Sequence, residues 1–261
     1  MINNFFITLG QKVIAFLYFM GGLTNLVFHS FALAFTRPFQ KDRIIEEAKK
    51  SGYDSLPIVS LVSLFIGFIF ALQTAYFMQR IGSEIYIASL VALSLVRELG
   101  PVITALVVAG RVGAAITAEL GSMQVTEQID ALETLATNPI KYLVVPRFLA
   151  LSIIMPLLTL YADAIGIFGS YLICVYKLGI SSSMYLHVTF DSLLHKDLFT
   201  GLFKTIFFGM IIAFVSCYEG FNVEGGAEGV GRATTRSVVT TFIMIIAADC
   251  FFTALFYFIF P

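Results

Sequence analysis

Charge is scarce in this chain. Asp, Glu, Lys and Arg together make up 13% of the 261 residues and nearly cancel, leaving a net charge of −1. With neither a basic surplus nor a basic cluster, the chain has no electrostatic pull toward a phosphate backbone, so no nucleic acid partner is expected. Cysteine is equally sparse. Cys174, Cys217 and Cys250 sit in apolar runs without CxxC spacing and read as small buried hydrophobes, not as a disulfide, metal ligands or a nucleophile. His29, His187 and His195 lack metal-ligand spacing, and neither HExxH nor GxSxG occurs, so the expectation is no metal site and no hydrolase. The opening residues, MINNFFITLGQKV, lack the basic stretch and small-residue cleavage site of a secretory signal and are expected to stay on the protein.

What is present is hydrophobicity. The chain is 58% apolar with a mean hydropathy of +0.90, values of an integral membrane protein. Its apolar runs reach the ~20 residues a helix needs to cross a hydrocarbon core of about 30 Å. The fold class expected is all-α, a single membrane domain over residues 1–261. Five spans fill residues 56–260: Leu56 to Met78, Ile85 to about Leu120, Leu143 to Tyr176, Leu198 to Tyr218 and Ser237 to Phe260. Before them, in residues 1–36, the run from Val13 to Phe35 carries Gly22, Asn25 and His29 at helical spacing, a weak polar stripe that predicts a helix lying in the interface.

Loop charges orient the spans. Arg37, Lys41, Arg43, Lys49, Lys50, Lys141, Arg147, Arg232 and Arg236 fall on one side, and Arg80, Lys177 and Lys196 on the other. Nine against three places loop 36–55, segment 121–147 and segment 219–236 in the cytoplasm. No loop exceeds about 20 residues, too few for a nucleotide-binding domain. Energy must come from another chain or an ion gradient.

Two cytoplasmic segments stand out. GGAEGVGRATTR, residues 225–236, has no Gly-Lys-Ser/Thr ending and no preceding strand, so it reads as a flexible turn in which Thr234 or Thr235 caps the last helix. TEQIDALETLATNP, starting at residue 126, predicts a short helix over 126–136, capped by Thr126, with Glu127 and Asp130 in its first turn and Asn138–Pro139 as its stop. Ile129, Leu132 and Ala136 share one face. Membrane-surface helices are rich in Lys and Arg, whereas this one carries Glu127, Asp130 and Glu133, so its expected contact is a protein partner.

The second span contains two ladders of small residues, Ala105, Ala109, Gly113, Thr117 and Gly121, and Gly110, Ala114 and Ala118, which predict close helix packing within the protomer or at a homodimer seam. Glu84 to Glu119 would measure about 54 Å as a straight helix, longer than a bilayer, so Arg111 and Glu119 are expected at the inner interface. Arg97 and Glu98 lie near mid-membrane, as do Lys204 and Asp249. A charge there costs about 2.5–3.5 kcal/mol if it faces lipid, so the four must pair or line a wet cavity. The pairs expected are Arg97 with Asp249 and Glu98 with Lys204, around a cavity for a charged or zwitterionic substrate.

The run LVALSLVRELGPVITALVVAGRVGAAITAELGSMQVTEQIDALETLATNPIKYLVVPR, with GVGRATTRSVV near the end, resembles the MlaE (YrbE) family of bacterial ABC transporter permeases, and the likeness covers nearly the whole chain. The resemblance implies a homodimeric, multi-pass permease of the bacterial inner membrane that moves phospholipid between that membrane and the periplasm and maintains outer-membrane lipid asymmetry. It implies an interfacial helix followed by five spans, with no cofactor on this chain. It also implies a separate ABC ATPase subunit, using ATP with magnesium, that docks on a coupling helix matching Thr126 to Leu135, with Glu127, Ile129, Asp130 and Leu132 in the contact. A periplasmic MCE-domain hexamer and a STAS-domain subunit complete the assembly. The family's polar membrane residues match Arg97, Glu98, Lys204 and Asp249, and by position Leu72, Gln73 and Tyr76 match its lipid cavity. Two other readings compete: a proton-coupled secondary transporter with Glu98 and Asp249 as a relay, and a non-transporting membrane scaffold.

Overall fold

The computed structural model describes residues 2–36, 40–80 and 82–259. Nine helices are found among the described residues: α1 (Ile2–Ala34), α2 (Lys41–Tyr53), α3 (Leu56–Arg80), α4 (Glu84–Val125), α5 (Gln128–Thr134), α6 (Ile140–Tyr176), α7 (Ser182–Ser192), α8 (His195–Phe221) and α9 (Gly226–Ile259). Five of them, α3, α4, α6, α8 and α9, match the expected spans. Arg37 of the charge count and Phe260 of the last span lie outside the described residues.

The bundle is built around α6 and α8, which pack on each other. On α6 lie α2 and α3, and against α8 lie α4 and α9. Backbones approach closely where glycine removes the side chain: a Cβ at Gly67 would collide with the Gly166 carbonyl, and one at Gly209 would come within 2.6 Å of the Leu151 carbonyl. In lipid, where apolar surface alone does not hold helices together, such close packing supplies the cohesion. The first small-residue ladder is used inside the protomer. Ala105, Ala109 and Thr117 are fully buried, a Cβ at Gly113 would lie 2.9 Å from Ser216 Oγ on α8, and Thr117 Oγ1 reaches Ser237 Oγ on α9 at 2.8 Å.

Val13 to Ala34 of α1 is long and apolar enough to cross a membrane, so six helices among the described residues meet that condition where five spans were expected. Its contacts show that α1 lies across the bundle. Phe19 and Gly22 meet Tyr218 and Phe31 meets Phe148 and Phe214, so 12 residues of α1, about 18 Å, are matched by only four residues of α8.

Three expectations are corrected. Residues 41–53, read as loop, form the helix α2, and residues 182–192 form α7, capped by Ser181, whose Oγ accepts the Met184 amide at 3.3 Å. Both lack a long apolar run, and packing stabilises them: Gly52 of α2 sits on Ile154, and Tyr185 of α7 is buried with its hydroxyl on Ser170. The glycine-rich segment 225–236 is not a flexible turn either, since α9 begins at Gly226. Thr234 and Thr235 cap nothing; their hydroxyls bond back to the Val230 and Gly231 carbonyls inside the helix. The chain reverses instead at Gly225 and Gly226, with φ of 89° and 68°, a conformation that glycine adopts without strain.

Candidate functional site

Mid-way along the bundle, α4 departs from regular helix. Leu95–Leu99 forms a π turn, followed by Gly100 and Pro101. Proline has no N–H, so the Arg97 carbonyl, four residues earlier, loses its usual donor. Lys204 of α8 takes that place, with Nζ 3.3 Å from the Arg97 oxygen. The same ammonium reaches Glu98 at 2.7 Å, Asp249 of α9 at 3.0 Å and the Thr253 hydroxyl at 2.7 Å. Thr253 in turn bonds Glu98 at 3.1 Å. Lys204 is 2% exposed. Phe203, Phe207, Phe252 and Phe256 interlock where α8 meets α9, with Phe207 and Phe252 centroids 4.7 Å apart. An ammonium as buried as that of Lys204 is tenable only with its protons satisfied, and here four acceptors surround three protons.

The expected Glu98–Lys204 pair is therefore present, whereas the expected Arg97–Asp249 pair is not. Adjacent residues diverge by about 100° on a helix, so Arg97 cannot follow Glu98 toward α9. It turns to Asp197 at the start of α8, 3.6 Å away, with 48% of its side chain exposed. The Glu98 side chain is 37% exposed. Lys204 is thus fully engaged, and the groups left open at the protomer surface are the Arg97 guanidinium and the Glu98 carboxylate, able to meet the phosphate and the amine of a zwitterion. Leu72, Gln73 and Tyr76 lie on the exposed side of α3, opposite its buried Ala71 and Ala75. Tyr76 carries the Arg80 guanidinium over its ring. α3 packs on α6 and also on α4, where Ala71 and Ala75 share a buried cluster with Val91 and Leu95, so Leu72, Gln73 and Tyr76 face away from that contact.

Sequence reasoning missed Thr253, Asp197 and Asp163. Thr253 lies four residues after Asp249, one turn along the same face, and that spacing could have found it. Asp197 at a helix start is indistinguishable from a cap. Asp163 stands alone in the apolar run of α6, a signal as strong as Asp249.

Where α2 meets α4 and α6 the charges also pair. Arg147 is buried inside α6 and is not a loop charge; it meets Glu119 of α4 at 2.7 Å and Glu47 of α2 at 3.3 Å. Lys50 joins Glu119 at 3.1 Å, and Arg111 holds Asp54 at 3.3 Å and Ser55 at 3.0 Å. Arg111 and Glu119 are thus held by α2 and α6 instead of reaching for water alone.

The short acidic helix is shorter than expected, Gln128–Thr134, and Thr126 does not cap it. The Thr126 hydroxyl bonds back to the Ser122 carbonyl at the end of α4, and Glu127 takes a left-handed conformation that turns the chain between the two helices. Its faces are also reversed. Ile129 is buried and Leu132 packs against the same core, so the apolar face points into the bundle. Glu127, Asp130 and Glu133 face outward beside Leu135, which is 75% exposed. A cavity of about 330 Å³ lined by Gln124, Asp130, Glu133, Asn138 and Phe221 flanks the helix.

A helical membrane bundle with a buried ion cluster at mid-depth and an acidic helix between two spans has the build of a transport permease. The chain belongs to the MlaE permease family: the family described as Permease MlaE matches residues 44–255. It is 44% identical to a probable ABC transporter permease protein of Rickettsia felis, over 98% of this chain and 99% of that one. It is 36% identical to the intermembrane phospholipid transport system permease protein MlaE of Haemophilus influenzae, over 98% of both chains. A third relative, the chloroplastic protein TRIGALACTOSYLDIACYLGLYCEROL 1 of Arabidopsis thaliana, is 38% identical over 82% of this chain and 61% of that one.

Proposed function

We propose that this multi-pass membrane protein is the permease subunit of an ATP-driven phospholipid transporter of the bacterial inner membrane, moving lipid between that membrane and the periplasm to maintain outer-membrane asymmetry. The observation that carries the reading is the Lys204 cluster, which leaves Arg97 and Glu98 open toward the protomer surface at mid-depth. Two copies enclose the lipid between them, with Leu72, Gln73 and Tyr76 lining the apolar part, Arg97 and Glu98 meeting the headgroup, and Lys204 and Asp249 holding Glu98 in place. The chain binds no cofactor. An ABC ATPase subunit binds ATP with magnesium and docks on α5 through Glu127, Asp130, Glu133 and Leu135, while Ile129 and Leu132 anchor that helix to the permease. A periplasmic MCE-domain hexamer and a STAS-domain subunit complete the complex, and α1 lies along the inner interface. The proton-coupled alternative is not favoured by the family, and both of its carboxylates, Glu98 and Asp249, are held by Lys204.

The test is transfer of a labelled phospholipid by the complex reconstituted in vesicles. Transfer is expected to require ATP and to stop with vanadate while a protonophore leaves it intact. Transfer that continues without ATP and collapses with the protonophore sinks the proposal.

A further inference from the structure

Asp163 is a buried acid without a partner. It is 4% exposed, and neither carboxylate oxygen has a hydrogen-bond partner among the described residues. One turn earlier on the same face of α6, Thr159 Oγ1 is also buried and unpartnered. Both lie inside a span, where water does not make up the deficit, and buried polar groups in folded proteins are as a rule satisfied. Asp163 faces α4 at its irregular point, because a Cβ on Gly100 would collide with its carboxylate.

Gly100 and Glu98 are two residues apart and point to opposite sides of α4, Glu98 to Lys204 and Gly100 to Asp163. Arg97 precedes Gly100 by three residues. In an α-helix that spacing leaves the two side-chain directions about 60° apart. The π turn Leu95–Leu99 holds more residues per turn, so it carries Arg97 further from the Gly100 face than an α-helix would. The present partner of Arg97 is loosely held. Asp197 lies 3.6 Å away, and its other oxygen is already committed to the Leu194 amide at 3.1 Å.

We propose that Asp163 is the second partner of Arg97, and that Leu95–Leu99 winds into α-helix during the transport cycle so that Arg97 leaves Asp197 and closes on Asp163. The exchange moves the cation from an acid that keeps another partner, Asp197 on the Leu194 amide, to one that has none, and rewinding one turn rotates Arg97 away from the protomer surface, withdrawing it from a bound headgroup. Asp163 is then a positioning residue for Arg97. This inference rests on the transport reading.

Two measurements on the complete complex in vesicles test it. Asp163→Asn keeps the shape and removes the charge, and is expected to slow ATP-driven phospholipid transfer at least about tenfold. Transfer at the native rate means that Asp163 serves only as a neutral group, which overturns the proposal. In a chain with Cys174, Cys217 and Cys250 replaced by Ala, Arg97→Cys and Asp163→Cys are expected to be joined by a short bifunctional thiol reagent in the vanadate-trapped state, and at least about tenfold more slowly without nucleotide. Joining at equal rates, or in neither state, overturns the proposal even if Asp163→Asn fails to assemble. If the native complex moves no phospholipid, the transport reading fails, and the cross-link still reports on the pair.

Discussion

Lys204 holds together three helices through one ammonium group. Replacing it by Met leaves Glu98 and Asp249 with no cation between them, and removing one member of a buried ion pair costs about 3–5 kcal/mol. Lys204→Met is therefore expected to lower the thermal unfolding midpoint of the purified protein, and adding Glu98→Gln with Asp249→Asn to recover most of the loss. A triple variant no more stable than Lys204→Met refutes this account. Burial separates cations of equal charge in the same way. Arg147→Ala strips a 3% exposed guanidinium from Glu47 and Glu119 and is expected to cost about 3 kcal/mol, whereas Lys50→Ala, at an exposed pair, costs under about 1 kcal/mol, both read from the same unfolding curves. Sequence reading found the four mid-membrane charges because a charge in an apolar run is conspicuous. It mispaired Arg97, since pairing depends on the phase of a π turn that no residue pattern displays.

At the scale of helices, contact distance decides. The α3–α6 contact brings the Gly67 and Gly166 backbones together, and backbone cannot move aside as a flexible side chain can. Gly67→Ala is expected to destabilise by about 1–3 kcal/mol, while Gly21→Ala, with nothing within 4 Å of the added methyl, leaves the midpoint unlowered. On α5 the two faces have separate roles. Asp130→Lys with Glu133→Lys is expected to cut the ATPase recovered with the permease at least about tenfold without lowering permease stability, a loss of some 1.4 kcal/mol or more in binding. Ile129→Ala is expected to lower permease stability first. Retention of the ATPase by the charge-reversed helix argues against docking there. The existence of α5 was legible from its acidic residues and its apolar period, but its expected Asn-Pro stop was not its end: the helix closes at Thr134 with Ala136 left-handed, and Asn138 instead caps α6, accepting the Ile140 amide at 2.9 Å. The orientation of α5 was not legible, because an amphipathic period shows which residues share a face and leaves open what that face meets.

Over the whole molecule, α3 and α9 present long apolar faces outward, with Phe65, Ile69, Val239, Ile243 and Ile246 exposed. Within a bilayer such faces meet lipid or another copy of the chain. The purified permease is expected to have the mass of two chains by native mass measurement, and a strictly monomeric protein that still supports transport would remove the cavity between protomers from the proposal.

The sequence by itself determined the all-α membrane fold, the position of five spans, the charges at mid-depth and the acidic helix, because hydropathy, helix stops and the cost of a charge in lipid are local properties of a run of residues. Tertiary structure alone decided that α2 and α7 are helices, that α9 starts eleven residues before Ser237, that Lys204 serves two acids while Arg97 turns to Asp197, and that Asp163 is left unpaired. Each of these depends on which surfaces meet. That is set by glycine-mediated approach, by a missing proline amide and by the rotation of one irregular turn, all of which act between residues up to 155 positions apart.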